Sequence, residues 1–356
     1  MSNERKRRKA DGKRVALIIT CIVLAVILVL LAVAGAVLNY IDKKLDKMNY
    51  VTGDTTVSPE DASSMAMDEW ETIASGDTTP YIDATDITFA TEPSYPVVDG
   101  DHIVNILMVG QDAREGQGTQ RSDSMILATF NRSTGEITLT SFVRDQYVQI
   151  PGYGATKLCH AYQYGGMTLL NQTLYNHYGV VIDGNLEVNF SGFSQIIDLL
   201  GGVEIELTGA EARYINKKEG TDLKAGLNRL NGKEALRYSR IRYIDSDYQR
   251  TERQRKVLLS LIDAYKNMPP KEMLKLLDEI LPLITTNIPK QDIYGYAMEL
   301  FPMLSGVEVG SQRLPVNGTF DEGHIKVAEG YVASVQYNID FAANRKILEK
   351  LFDEVP

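Results

Sequence analysis

Arginine side chains are concentrated in one stretch, Asn231–Lys256, of a chain whose formal net charge is −10. Six arginines fall between Arg237 and Arg255. Guanidinium groups bind phosphate oxygens through paired N–H groups and stay charged at any physiological pH. Arg240 and Arg242 alternate along the chain, so an extended segment would project both from the same face. This pattern suits a diphosphate ligand better than a single carboxylate.

A helix is predicted to begin directly after this pair, because Ser246 and Gln249 have the spacing of a capping box. Five residues at helical spacing share one face of this helix: Arg250, Gln254, Val257, Leu258 and Leu261. The face starts polar and ends apolar, and a helix N-terminus favours a bound anion. Arg255 follows about 100° around the helix and is expected to lie in solvent. The alternative is a solvated charged face with ordinary ion pairs.

Polar side chains also collect at the ends of predicted strands. Three such ends are Gly110–Arg114, Arg121–Asp123 and Arg144-Asp145, the last followed by Lys157 after a loop rich in glycine and proline. Strand ends are where α/β folds assemble their sites. Asp112 and Asp123 are hard oxygen ligands of the kind that Mg²⁺ accepts beside phosphate oxygens. The alternative for each aspartate is that it caps a turn.

Strand-like and helix-like segments alternate from Ile103 onward. The predicted strands are Ile103–Val109, Ser124–Asn131, Glu136–Phe142, Leu186–Phe190 and Val203–Leu207. The predicted helices are Met167–Tyr178, opened by Gly165-Gly166, then Phe193–Leu200, Asp247–Asn267, Lys271–Leu283, Gln291–Leu304 and Phe341–Phe352. Strands mixed with helices predict an α/β fold, a layered domain with a central mixed sheet.

The N-terminal part of the chain has the composition of a membrane anchor. Residues 1–14 contain seven Lys or Arg, and residues 15–38 contain no charged residue. As a helix, the uncharged segment would span about 36 Å, and the basic flank places its N-terminal side in the cytoplasm. We therefore predict a basic cytoplasmic tail (1–14), a single transmembrane helix (15–38), an acidic, Thr-rich stalk (39–100) and an extracellular domain (101–356) of a single-pass plasma-membrane protein.

Cysteine content and charge exclude several classes of protein. Cys21 lies in the predicted span and Cys159 in the outer domain, so we expect no intrachain disulfide. No spacing resembles a zinc or iron–sulfur site, and the four His are scattered. The acidic chain and the predicted outer location argue against a DNA-binding regulator, and we expect no nucleic-acid partner.

Five ordered blocks of sequence resemble the LytR-CpsA-Psr family. They read NILMVGQDAR, RSDSMIL, SFVRDQYVQIPGYGATKLCHAYQYGG, DLLGGVEIEL, and LNGKEALRYSRIR with DYQRTERQR, within Asp101–Lys266. The resemblance implies an α/β/α domain whose apolar cleft holds a polyprenyl tail. It also implies a phosphotransferase, assisted by Mg²⁺ or Mn²⁺. Such an enzyme moves teichoic acid or capsular polysaccharide from undecaprenyl pyrophosphate to the muramic acid 6-hydroxyl of peptidoglycan.

The resemblance also implies roles for individual residues. Asp112 and Asp123 match the metal ligands of the family. The catalytic set is Asp112, Asp123, Arg144, Asp145 and Arg242, and the pyrophosphate-binding set is Arg121, Arg144, Lys157, Arg240, Arg242, Arg250, Arg253 and Gln254. Cys159 stands where the family usually has Asn, and Val143 where Pro is common. Neither change removes a charge, so we expect activity to be retained.

Two other functions fit much of the same sequence. A polyprenyl-pyrophosphate glycan pyrophosphatase would keep the arginines and both aspartates and would use water as the nucleophile. A membrane protein that only binds lipid or glycan would keep the arginines but would not need Asp112 and Asp123. No Ser or Cys with a paired base is apparent in the sequence, so we expect the nucleophile to be an acceptor hydroxyl.

Overall fold

The computed structural model describes residues 39–51, 53, 56–67, 70–73, 81–87, 102–111, 120–242, 244, 247–266, 268–300 and 309–352. The chain forms two compact units, Met1–Lys47 and Met48–Pro356. Within the first unit, residues 39–45 are helical. The predicted tail and the predicted span lie outside the described residues, so both remain predictions. Among the residues that are described, no helix combines the length and apolar composition needed to cross a membrane.

The second unit is a mixed α/β domain. Its strands are, in chain order, β1 (Asn49–Tyr50), β2 (Glu71–Thr72), β3 (Ile82–Asp83), β4 (Ile103–Gln111), β5 (Ser122–Asn131), β6 (Glu136–Phe142), β7 (Tyr147–Ile150), β8 (Gly154–Lys157), β9 (Gly184–Asn189), β10 (Val203–Leu207), β11 (Gly226–Leu230), β12 (Thr285–Thr286), β13 (Val309–Leu314), β14 (Asp321–Ala328) and β15 (Tyr331–Tyr337). Its helices are α1 (Pro59–Ala66), α2 (Cys159–Tyr178), α3 (Phe190–Leu199), α4 (Gly209–Glu219), α5 (Gly232–Ser239), α6 (Asp247–Lys266), α7 (Pro270–Ile280), α8 (Lys290–Leu300) and α9 (Phe341–Glu349).

The central sheet has the strand order β1-β12-β9-β4-β5-β6-β13. Strands β4, β5 and β6 are antiparallel to one another, whereas β9 is parallel to β4 and β13 is parallel to β6. The predicted mixed sheet is therefore confirmed. The tight turn after β5 depends on Gly135, whose φ of 73° is a conformation that glycine adopts without strain.

Helices cover both faces of this sheet. On one face, Leu107 of β4 and Leu127 of β5 are fully buried in a cluster with Leu170 of α2. On the other side of the domain, a second cluster joins α3, α5 and α6, with Tyr238 and Val257 among its buried members. A cleft remains between this second layer and the sheet, and it is described below.

Helix α2 begins earlier than predicted. The prediction placed the start after Gly165-Gly166, because paired glycines often end or open a helix. The helix instead starts at Cys159, and the two glycines have non-helical backbone angles inside it. Cys159, Ala161 and Tyr162 are buried, so tertiary packing stabilises the first turns and the glycines only kink the helix.

Two helices around the arginine stretch were not predicted. Both α4 and α5 open with a capping box, formed by Thr208 with Glu211 and by Asn231 with Glu234. Arg240 is the C-terminal cap of α5, so the expected extended alternation of Arg240 and Arg242 is wrong.

Some segments of the predicted stalk that belong to the second unit are folded as part of the domain. Strands β2 and β3 pair with β15 and β14 in a four-stranded sheet. Ala62 of α1 is buried in the main core cluster, beside residues of α2. The predicted boundary at residue 101 is therefore too late for these segments. Their acidic composition concealed the few apolar residues, such as Ala62 and Ile87, that are buried.

Candidate active site

A cavity of about 550 Å³ lies between the central sheet and helices α3, α5 and α6. Its apolar walls include Met108, Val109, Ile126, Leu186, Val188, Phe190, Phe193, Ile196, Leu236, Leu258, Leu261, Ile280 and Ile284. Its charged lining consists of Arg121, Asp123, Arg144, Arg237, Arg240, Arg242 and Arg250. An apolar pocket that also carries six guanidinium groups can bind an amphiphile with a multiply charged anionic head.

A chain of ion pairs supports the charged part of the cavity lining. Arg144 donates from Nη1 to Oδ1 of Asp123. The Nε of Arg144 lies 3.4 Å from Oδ1 of Asp145, and Nζ of Lys157 lies 3.1 Å from the same oxygen. Arg144 and Lys157 are both buried. Buried charges require partners of this kind, so the chain fixes the direction in which Arg144 faces the cavity.

Asp145 remains ionised in this setting. Burial would raise the pKa of its carboxyl, but four cationic side chains outweigh that effect and hold the pKa below the usual range: Arg144, Lys157, Arg250 and Arg242. A carboxylate with a lowered pKa is a weak proton acceptor near neutral pH. The role that the geometry gives to Asp145 is therefore to orient Arg144 and Lys157.

Helix α6 presents the predicted polar-to-apolar face. Arg250 is 2% exposed and lines the cavity, one turn before Gln254. The Nε2 of Gln254 donates to the backbone oxygen of Asp123 over 3.5 Å. Leu258 and Leu261 continue the same face along the apolar wall. The capping residue predicted for this helix, Ser246, lies outside the described residues.

Further arginines line the cavity. The guanidinium of Arg240 lies 4.2 Å from the ring centre of Phe190, and Arg242 and Arg121 are also part of the lining. Arg237, which the prediction left out, also lines the cavity and donates to Glu219 over 2.5 Å. Stacking on an aromatic ring leaves the edge of a guanidinium available for phosphate oxygens.

Two predicted phosphate ligands do not line this cavity. Arg253 donates to Glu211 over 2.7 Å and to the backbone oxygen of Ile241 over 3.3 Å, so it links α6 to α4 inside the second cluster. Lys157 reaches the site only through its ion pair with Asp145. Arg253 lies three residues after Arg250 on α6. The direction that its side chain faces is set by the neighbouring helix α4, which was not predicted.

Arg255 is also not where the sequence placed it. It is 8% exposed, and burial lowers the pKa of its guanidinium. Helical spacing correctly predicted that Arg255 faces away from the cavity. The expectation that this other side faces solvent is wrong, because strands β6 and β13 pack against it.

One of the two predicted metal ligands is described. Asp123 lines the cavity with its side chain 18% exposed, while Asp112 lies outside the described residues. Among the described residues, no group of three or more His, Cys, Asp or Glu is placed to hold a metal ion. Mg²⁺ commonly takes one or two carboxylates together with substrate phosphates, so Asp123 beside an arginine-bound diphosphate fits such an ion.

The resemblance implied an apolar cleft, and Leu258 and Leu261 were expected on its face, but the wall residues of α3 and α5 were not assigned from the sequence. Phe190, Phe193 and Ile196 of α3 face the cavity together with Leu236 of α5. Helical spacing places Phe190, Phe193 and Ile196 on one face, which was a usable signal. Helical spacing alone does not distinguish a face that covers a cleft from a face that packs in a filled core.

The family model for LytR_cpsA_psr matches residues 62–341. The chain belongs to the LytR_cpsA_psr family. It is 33% identical over 216 residues to the polyisoprenyl-teichoic acid–peptidoglycan teichoic acid transferase TagT of Bacillus subtilis, covering 59% of this chain and 66% of that protein. It is 39% identical over 156 residues to TagU of Enterococcus faecalis, covering 43% and 49%. Regulatory protein MsrR of Staphylococcus aureus is 30% identical over 261 residues, covering 72% and 76%. The chain thus spans just under two thirds and about half of the first two relatives.

Solved structures from this family share the fold. A TagT structure with bound octaprenyl pyrophosphate lipid has a TM-score of 0.54 at 25% identity, covering 77% of this chain and 99% of that one. A structure of TagT bound to LIIa-WTA has a TM-score of 0.57 at 26% identity, covering 79% and 97%. The mixed α/β architecture with a central mixed sheet is thus common to both proteins.

Proposed function

We propose that the protein transfers a glycopolymer from a polyprenyl-pyrophosphate carrier to the muramic acid 6-hydroxyl of peptidoglycan. The observation that carries this proposal is one continuous cavity with apolar walls and six arginines. An apolar cleft alone would fit many lipids, and an arginine cluster alone would fit many anions. Their combination fits a long isoprenoid with a diphosphate head, and the ligand of the TagT structure has the same chemistry.

The arginines would act on the diphosphate. Arg144, Arg242 and Arg250 line the cavity, and their guanidinium groups would bind its oxygens and balance the charge that develops on the leaving group. The acceptor hydroxyl attacks the phosphorus nearest the sugar, and its proton passes to water. The bond from that phosphorus to the bridging oxygen breaks, and polyprenyl phosphate leaves. No covalent bond to the protein is needed.

Two carboxylates would hold the cations in place. Asp123 and Asp145 both contact Arg144, and Asp145 also contacts Lys157. Because preorganised charges need no rearrangement during the reaction, this ion-pair chain lowers the barrier more than mobile surface arginines would. Asp123, together with Asp112, would hold Mg²⁺ or Mn²⁺, and the bound ion would supply further charge neutralisation at the phosphates.

The site would lie outside the cell membrane. The basic tail of residues 1–14 and the uncharged segment of residues 15–38 support a cytoplasmic N-terminus and a single-pass anchor. A lipid-linked donor and a peptidoglycan acceptor meet at the outer face of that membrane, which agrees with this topology.

The fate of the donor sugar tests the proposal against its two alternatives. Full-length protein in detergent is incubated with a radiolabelled polyprenyl-pyrophosphate saccharide, Mg²⁺ and peptidoglycan. We expect the label to become covalently bound to peptidoglycan. A water-soluble saccharide phosphate would instead identify a pyrophosphatase, and unchanged lipid-linked label would identify a binding protein.

A further inference from the structure

A second cavity, of about 270 Å³, lies among α1, the β7–β8 hairpin and the four-stranded sheet. Its lining includes the rings of Trp70, Tyr147, Tyr153 and Tyr164. Tyr147 and Tyr164 are buried at its base, whereas Trp70 and Tyr153 are half-buried. Trp70 is the single tryptophan of the chain.

Small residues leave this space open between the rings. Ala62 and Ala66 of α1, Ala155 of β8 and Ala333 of β15 all face the cavity. Any larger side chain at these positions would fill it. A sealed void of this size would be strongly destabilising. The half-buried and exposed residues at its rim instead open it to solvent, as expected of a ligand pocket.

Polar groups are placed among the rings. Thr156 shares a hydrogen bond with Nδ1 of His160 over 2.8 Å, and the imidazole of His160 stacks on Tyr164. Lys157 contributes to the same lining. A lining that combines aromatic side chains with hydroxyl, imidazole and ammonium groups suits a sugar ring, which offers C–H groups on its faces and hydroxyls on its edge.

Lys157 connects this cavity to the donor site. Its Nζ lies 3.1 Å from Oδ1 of Asp145, and the same oxygen lies 3.4 Å from Nε of Arg144, which lines the donor cavity. The two cavities are therefore separated by one layer of ion-paired side chains.

We propose that the aromatic cavity is a binding subsite for a sugar ring of the acceptor peptidoglycan. The inference rests on the proposed transfer function and assigns a location to its second substrate. Holding one ring of the acceptor reduces the entropy that is lost when the adjacent hydroxyl approaches the phosphorus. The saccharide of the donor has related chemistry, so the two sources must be compared directly.

Trp70 gives a direct measurement of binding. Full-length protein in detergent is titrated with a soluble disaccharide-peptide fragment of peptidoglycan and, separately, with the free donor saccharide. We expect a saturable change in tryptophan emission with the peptidoglycan fragment. The affinity for the donor saccharide, measured in the same way, should be at least tenfold lower. No change with the fragment, or an equal response to both, would overturn the assignment.

A cavity-filling variant adds a kinetic test. Ala155→Leu should raise the KM for acceptor about tenfold or more, with KM for the lipid donor unchanged. Ala210→Leu, the same change at an exposed position of α4, should leave both constants unchanged. An unchanged acceptor KM in Ala155→Leu would overturn the subsite. Failure of the transfer proposal is a separate result, because wild-type protein would then produce no peptidoglycan-linked sugar at all.

Discussion

Arg255 donates a hydrogen bond from Nη1 to Oγ of Ser141 over 2.9 Å and ties helix α6 to strand β6. Its Nε donates to Oγ of Ser311 on β13 over 2.6 Å, so one guanidinium links the helix to two neighbouring strands. Arg250 and Gln254 extend from a different face of the same helix into the donor cavity. The contacts of Arg255 therefore fix the position of Arg250 and Gln254, which it does not touch.

Arg255→Lys should destabilise the fold. An ammonium group cannot donate in the two directions that the planar guanidinium serves. Loss of these bonds should cost about 1–3 kcal/mol of unfolding free energy, seen as a lower Tm. Lys256→Gln, at the exposed neighbouring position, should stay within about 0.5 kcal/mol of wild type. Equal unfolding free energies for the two variants would contradict the buried position of Arg255.

Asp123→Asn should reduce transfer much more than stability. The change keeps the shape of the side chain but removes the charge that pairs with Arg144 and that a phosphate-bound Mg²⁺ would use. Arg144 retains Asp145 as a partner. We expect a fall in rate of about 10- to 100-fold, equivalent to the loss of one charge-assisted contact.

The matched control is Asp222→Asn, because Asp222 is exposed and its ion pair with Lys224 is long. This variant should transfer at the wild-type rate. Asp123 would be only a turn or packing residue if Asp123→Asn kept both its rate and its Mg²⁺ dependence.

The stabilising effect of Asp145 should be insensitive to pH in the neutral range. Its pKa is below the usual value in the folded protein, despite burial, because of the surrounding cations. Such a group contributes stability above its unfolded pKa of about 3.9 and loses that contribution as pH falls through the folded value. The difference in Tm between wild type and Asp145→Asn should therefore stay constant from about pH 8 to pH 5 and shrink only below about pH 4. A difference that disappears near pH 6 would make Asp145 a proton acceptor at working pH.

Leu258→Trp should block the apolar part of the donor cavity. Leu258 lies on the cavity face of α6, so an indole there occupies the space proposed for the isoprenoid. We expect less polyprenyl phosphate per protein, measured by mass spectrometry of lipid extracts after incubation and washing. Leu227→Trp, at an exposed position of strand β11, should bind as wild type does. Equal lipid content in both variants would place the tail elsewhere.

Local sequence patterns predicted those elements that pair with elements adjacent to them in the sequence. Strands β4, β5 and β6 follow each other along the chain and pair in that order, so alternation and turn residues were sufficient to find them. The cavity face of α6 likewise followed from helical spacing alone.

The positions of Arg253 and Arg255 could not be predicted in this way. Each depends on an element distant in sequence: Arg253 on Glu211 of α4, and Arg255 on Ser311 of β13. Helical spacing gives the angle between side chains, but it does not say which sides are covered. The four-stranded sheet that joins β2 and β3 to the C-terminal strands was missed for the same reason.

Arg242 gives the most direct test of a shaped diphosphate site. Arg242→Lys keeps the positive charge but loses the fork that contacts two phosphate oxygens at once. The matched control is Arg229→Lys, because Arg229 is exposed and forms a surface ion pair with Glu204. The measurement is the initial rate of sugar transfer from the lipid donor to peptidoglycan by both variants and by wild type. We predict a loss of about 10- to 100-fold for Arg242→Lys and less than about twofold for Arg229→Lys. Equal rates in the two variants would contradict the account, because the arginines would then act only as a diffuse positive patch.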